Sequence, residues 1–201
     1  MEPEAGRGRT RRELIARALV ASAATGLEMA AAAQAAAQPP LDDGSLLAAA
    51  LSAEDVAVLA YRAMLAQGLF DPAGQRLLGL LLDHNRQHAD LLRRELQTLG
   101  RALPAEPQGP SDVDKALSAH GMSSTVAGAK TLMDAVYVLL DAEALCQGAY
   151  YTAVEHLTDT TAMARAAQAL ACDAQHSVLL RELIYPKVAQ AVPDWYVAGV
   201  A

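Results

Sequence analysis

Two matching polar interruptions in otherwise apolar helical stripes constrain this chain more than any other feature. Leu51-Ser52-Ala53-Glu54, with Tyr61 seven residues beyond the Glu, is answered by Leu140-Asp141-Ala142-Glu143, with Tyr150 at the same interval. Asn85-Arg86-Gln87-His88, followed by Leu91-Leu92-Arg93, is answered by Asp173-Ala174-Gln175-His176, followed by Leu179-Leu180-Arg181. The Glu-to-His separation is 34 residues in the first half and 33 in the second. Single resemblances between helices are common in Leu/Ala-rich chains, but two ordered matches at nearly equal spacing are not. The chain therefore reads as two repeated helical hairpins.

Punctuation divides the rest into helices. Runs are expected over 45–67, ending at Gly68, and over 73–99, opened by Asp71-Pro72 and ended by Gly100. Pro104, Pro107 and Pro110 mark a long connection, with a short helix over 112–119 before Gly121. A third long run covers 124–157 and a fourth 162–185, which Pro186 stops. The chain is 53% hydrophobic but only 4% aromatic, so its apolar content is chiefly Ala and Leu, both strong helix formers.

Within each run, seam positions recur at alternating steps of three and four. They are Leu47, Leu51, Glu54, Val58, Tyr61 and Leu65, then Leu78, Leu81, Asn85, His88, Leu92 and Leu99. The third run gives Leu132, Val136, Leu139, Glu143, Cys146, Tyr150 and Leu157; the fourth gives Ala162, Ala166, Ala169, Asp173, His176, Leu180 and Leu183. Each stripe is polar at its middle. Two short links and one long one predict an all-α, antiparallel four-helix bundle with a single long crossover between helices two and three. The midpoint of Glu54 and His88 falls at Asp71, and that of Glu143 and His176 falls within the 158–161 link. Both hairpins therefore bring a Glu and a His to one height.

On these motifs the sequence resembles the ferritin-like superfamily, and in particular exported bacterial ferritin-like-domain proteins. The resemblance spans about 45–199, including the Leu99-Gly100 helix end and the Val192-Pro193-Asp194-Trp195 tail. It implies a di-iron or di-manganese centre built from two lone Glu and two Glu-x-x-His motifs. Carried across, Glu54 and Glu143 match the lone carboxylates, and His88 and His176 match the histidines. Asp173 stands where one bridging Glu belongs, and Asn85 stands where the other does. Asp173 is one methylene shorter than Glu, and Asn85 offers only a neutral carbonyl oxygen, so the site is partly degenerate. One ion, iron or manganese, fits such a set, and two are strained. Two readings satisfy the demand that buried carboxylates be compensated. One is a metal site in Glu54, His88, Glu143, Asp173 and His176, used in oxidation or metal handling. The other is a metal-free envelope binding or structural protein, in which each Glu is hydrogen-bonded to a His of the facing helix.

Residues 1–38 read as an address rather than as part of the fold. Thr10-Arg11-Arg12-Glu13-Leu14-Ile15 precedes a weakly apolar stretch and an Ala-rich segment with several A-x-A cleavage choices. This is the layout of a twin-arginine signal, implying the twin-arginine export machinery and a periplasmic or other extracytoplasmic location. A helical extension from Arg11 is the alternative. The apolar stretch, cut off by Arg17 and Glu28, is too short to span a membrane, and nothing later reads as transmembrane. A net charge of −7, without clustered Lys and Arg beyond the first residues, argues against nucleic acid as a partner.

Tyr61 and Tyr150 read as core residues with bonded hydroxyls. His84 lies one residue off the seam and reads as an interface or surface histidine, and Arg93-Arg94-Glu95 reads as a solvated face. His120 and His156, near helix ends, carry no site signal. Cys146 and Cys172 sit near one level of the second hairpin, either as two small core residues or as a disulfide formed after export.

Overall fold

The first backbone N–H groups of a helix lack partners within it, and here short polar side chains supply them. In the computed structural model, which describes residues 42–185 and Lys187, Asp42 accepts from Ser45 N at 2.8 Å to open α1 (Asp43–Ala66). Asp71 accepts from Gly74 N at 2.7 Å, and Pro72 occupies the first turn of α2 (Pro72–Thr98). A short α3 (Pro110–Ala119) follows the proline-rich connection. Next come α4 (Leu132–His156) and α5 (Thr160–Glu182), the latter capped by Asp159 through Ala162 N. The described residues contain no strand. The expected export signal and the Val192–Trp195 segment lie outside the described residues.

Helix ends follow the same logic in reverse. After α2 the Gly100 N–H reaches Gln97 O and Arg101 N–H reaches Leu96 O, with Gly100 at φ 65°. That left-handed position is accessible to glycine without a Cβ penalty, and it closes the helix with two of its last carbonyls satisfied.

One expected boundary is wrong. The third long helix begins at Leu132 rather than at 124, because Thr131 and Asp134 form a reciprocal capping box that fixes the start there. The segment before it packs by other means. Val126 is buried, its N–H donating to Asp114 Oδ1 at 2.6 Å and its carbonyl accepting from Gln67 Nε2 at 3.1 Å.

Helix α1 packs on α2 and α4, α4 packs on α5, and α3 lies against α1 and α4. The expected stripes are buried through their middles but drift at their ends. Leu99 and Leu132 are exposed, while Met64 and Leu96 are fully buried. A stripe read at 3.5 residues per turn slips by about 20° per heptad against a straight helix, which suffices to turn end positions outward. Helix α1 is long and apolar enough to cross a membrane by length and composition, yet 72% of its most apolar window is buried within the protein, as a core helix requires.

The apolar core falls into two clusters. One gathers around Tyr61, Met64, Leu78, Leu81, Val136 and Leu139, and the other around Leu47, Leu51, Leu92, Leu96 and Tyr150. Polar ties fasten the outside. Arg101 pairs with Asp42, and Arg165 with Glu95. The run at Arg93 is not simply a solvated face. Arg93 pairs with the buried Asp55 and also reaches Asp90 at 3.1 Å and Glu106 at 3.3 Å, fastening the connection after α2 to α1. Burial pushes the Asp55 carboxyl up, against the pull of the guanidinium.

Asp43 joins the start of α1 to the link between α4 and α5. It accepts from Thr158 N at 2.9 Å, Thr158 Oγ1 at 3.0 Å and Asp159 N at 2.9 Å. The backbone donors, Thr158 first, hold its carboxyl below the usual carboxylate range. A folded-state pKa depressed in this way contributes stability above the unfolded Asp value, and that stability is lost as pH falls through the folded value. Denaturant titrations between pH 7 and pH 3 should therefore show Asp43→Asn less stable than wild type at neutral pH. The two should converge on acidification; a gap independent of pH would contradict the role given to this carboxylate.

Candidate metal centre

Between the two apolar clusters lies a layer of buried polar side chains drawn from all four long helices. Glu54 comes from α1, Asn85 and His88 from α2, Glu143 from α4, and Asp173 and His176 from α5. All are buried except His88, whose side chain is 17% exposed. The structure thus gathers every residue that the repeated motif singled out.

The contacts follow the two halves of the sequence. Glu54 Oε1 lies 3.1 Å from His88 Nδ1, and Glu143 Oε1 lies 3.2 Å from His176 Nδ1. The tyrosines cross between halves. Tyr61, on the helix of Glu54, donates its hydroxyl to Glu143 Oε1 at 2.6 Å, and Tyr150, on the helix of Glu143, donates to Glu54 Oε1 at 2.8 Å. Asn85 Nδ2 donates to Glu143 Oε1 at 3.2 Å. His88 Nδ1 also stands 3.4 Å from Asp173 Oδ1, close enough for ionic attraction but not aligned as a hydrogen bond.

Every one of these donors is spent on a single oxygen of each glutamate. Glu54 Oε2, Glu143 Oε2, both Asp173 carboxylate oxygens and Asn85 Oδ1 are buried with no hydrogen-bond donor from the protein. Five such acceptors in one place are unusual, since nearly all buried polar atoms in folded proteins are partnered. Oxygen donors supplemented by imidazole suit hard to intermediate divalent ions, so the residues present fit such an ion.

Electrostatics match the burial. Desolvation raises the Glu54 carboxyl, and desolvation together with the charge of Glu54 raises Asp173 well above the ordinary range. His88 moves the other way from a simple buried imidazole. Burial favours its neutral form, but Asp173 and Glu54 outweigh this and push it up to about 11, so it stays an imidazolium at neutral pH. Burial, and for Tyr61 the neighbouring Glu143 charge, raises both tyrosines well above their usual value and keeps them as donors.

Two residues that the sequence reading set aside join the layer's edge. His84, of the two readings open to it, takes the interface one, half-buried against α5. Its ring stacks on His176 with centroids 5.3 Å apart, and its Nδ1 lies 3.0 Å from His176 Nε2. Cys172 Sγ is 3.4 Å from the same Nε2 and 3.7 Å from His84 Nδ1. His84 occupies in the first half the position that Cys172 occupies in the second, each just before the Asn or Asp of its motif, so the repeat itself carried the signal. Both cysteines are free thiols. Cys146 is buried, and its ligand atom lies within 4.8 Å of those of Glu54 and Asp173.

An all-helical fold whose long helices meet in a carboxylate and histidine layer defines a class of protein, and comparison with known families agrees with it. A ferritin-like domain model matches residues 42–186, and the chain belongs to that family. Its fold is similar to that of a conserved hypothetical protein, rv2844, from Mycobacterium tuberculosis. The TM-score is 0.59 at 20% identity, covering 72% of this chain and 93% of that one. No curated protein matches the chain.

Because each Tyr hydroxyl is a donor to a buried carboxylate, Tyr150→Phe and Tyr61→Phe should each destabilise the protein by about 1–3 kcal/mol in denaturant unfolding at neutral pH. Substitutions without effect would mean that the hydroxyls contribute packing alone.

Proposed function

We propose that this is an exported ferritin-like protein whose central layer takes up a divalent transition metal, iron or manganese, through Glu54, His88, Glu143, Asp173 and His176. The observation that carries the reading is the set of five buried oxygens without donors, four of them on Glu54, Glu143 and Asp173, which match the carboxylate positions of a ferritin-like site. Such an ion would neutralise carboxylates that otherwise face one another with a single imidazolium between them, and would supply redox or Lewis-acid chemistry. Asn85 spends its amide N–H on Glu143 rather than adding a fourth carboxylate, which favours one ion over two.

The rest of the proposal concerns architecture and address. The four long helices α1, α2, α4 and α5 form an antiparallel bundle, with the single long crossover running through α3. The helix pairings and the short 67–71 and 157–159 links support this topology. Residues 1–38 serve as a twin-arginine signal that is removed on export. A metal-free bundle is the second reading, favoured by the Glu54–His88 and Glu143–His176 pairs and by the tyrosine donors, which already compensate one oxygen of each glutamate.

Metal analysis and equilibrium dialysis with iron(II) and manganese(II) separate the two. Wild type is expected to hold about one ion per chain, Glu143→Ala and His176→Ala none, and Asn85→Glu a stoichiometry moving towards two. A wild type that stays free of both metals would favour the metal-free bundle. Export is tested separately. Replacing Arg11 and Arg12 together by Lys should leave uncleaved precursor in the cytoplasm, and undiminished export of that variant would remove the twin-arginine reading.

A further inference from the structure

His84, Cys172 and His176 are not the ligands that the fold family implies as a set, yet their donor atoms converge. His84 Nδ1, His176 Nε2 and Cys172 Sγ stand 3.0, 3.4 and 3.7 Å apart as a triangle. Nitrogen and sulfur ligands bound at about 2.0–2.1 Å and 2.3 Å to one tetrahedral zinc would stand about 3.3–3.6 Å apart. The triangle is therefore already close to the size of one face of such a site.

The contacts of His176 point the same way. His176 Nδ1 faces Glu143 Oε1 at 3.2 Å, and in the tautomer that donates there the Nε2 lone pair faces His84 and Cys172. A carboxylate holding the far nitrogen of an imidazole is the usual orienting partner of a histidine metal ligand. As hydrogen bonds alone, the cluster would aim an imidazole N–H and a thiol at one in-plane lone pair. A cation instead accepts one pair from each of the three atoms. His84 and Cys172 are half-buried, which leaves the solvent-facing side for a water as fourth ligand.

We propose that His84, Cys172 and His176 form a second metal site, at the edge of the carboxylate layer, for a thiophilic ion of the zinc(II) class. Two imidazoles and a thiolate select against the hard ions that oxygen ligands favour, and the thiol proton leaves to solvent on binding. The site does not depend on the carboxylate layer holding an ion. The two sites compete for His176, because a neutral imidazole has one lone pair to give.

Cobalt(II) added to the metal-stripped, reduced full-length chain reports the site through thiolate-to-cobalt charge-transfer absorption, and zinc(II) then displaces it. Wild type should show the band at one cobalt per chain and lose it to one equivalent of zinc. Cys172→Ser should abolish the band, and His84→Ala should weaken zinc at least about tenfold, the lower bound for losing even an indirect partner of a metal ligand. Cys146→Ala should keep the band. Far-UV circular dichroism checks that each variant retains its helices. The proposal is overturned by a wild type without the band, by a band that persists in Cys172→Ser, by unchanged zinc affinity in His84→Ala, or by loss of the band in a folded Cys146→Ala. A band in a wild type that refuses iron and manganese supports this site and counts only against the carboxylate-layer reading.

Discussion

Three carboxylates buried at the centre of a helical core set the terms for everything around them. Removing an ionised carboxylate from water is costly unless it is paired, protonated or bound to a cation. This protein applies partial remedies to each. Glu54 and Glu143 each receive a tyrosine hydroxyl and an imidazole nitrogen on one oxygen, and His88 is held as an imidazolium between Glu54 and Asp173. These contacts account for the equal Glu-to-Tyr spacing in the two halves of the chain: a shift of either Tyr by one residue would rotate its hydroxyl by about 100° away from its acceptor. The apolar clusters on either side then serve as insulation, keeping competing water from the layer.

Much of this was legible in the sequence because polar residues in an apolar stripe are conspicuous. The four long helices, the shared height of Glu54, His88, Glu143, Asp173 and His176, and the bonded hydroxyls of Tyr61 and Tyr150 all follow from spacing and turn position. What escaped has physical causes. His84 sits about 100° from Asn85 on α2, so a stripe drawn through Asn85 excludes it; only the facing helix α5, bearing Cys172 and His176, shows that side to be an interior edge. Asp55 adjoins Glu54 and is buried through its pairing with Arg93, a tertiary contact that helical period cannot reveal. The start of α4 was misplaced because a capping box gives way to apolar periodicity unless both its residues are weighed. Thr131 and Asp134 carry that signal, and the preceding Ser and Thr residues obscure it.

Asn85 shows how one substitution can redirect a site. A glutamate there would bring a fourth carboxylate to the layer. The amide instead donates to Glu143 and keeps its oxygen undonated. The change lowers the negative charge of the layer and turns a residue that could bridge ions into one that orients a neighbouring ligand. Beyond His176, the His84 and Cys172 positions replace symmetry with a mixed nitrogen and sulfur edge. The two halves have thus diverged most where the chemistry is decided, while their glutamates and tyrosines remain alike.

The crossing of the tyrosines has a consequence for how the chain reaches this state. The phenol that serves Glu54 is carried by α4, and the one that serves Glu143 is carried by α1. Helices α1 and α2 docked alone would enclose a glutamate lacking its phenol, and α4 and α5 alone would do the same. Neither pair is then a self-sufficient folding unit, and the last step of assembly rewards both together. Unfolding should accordingly be a single cooperative transition rather than the successive melting of two hairpins.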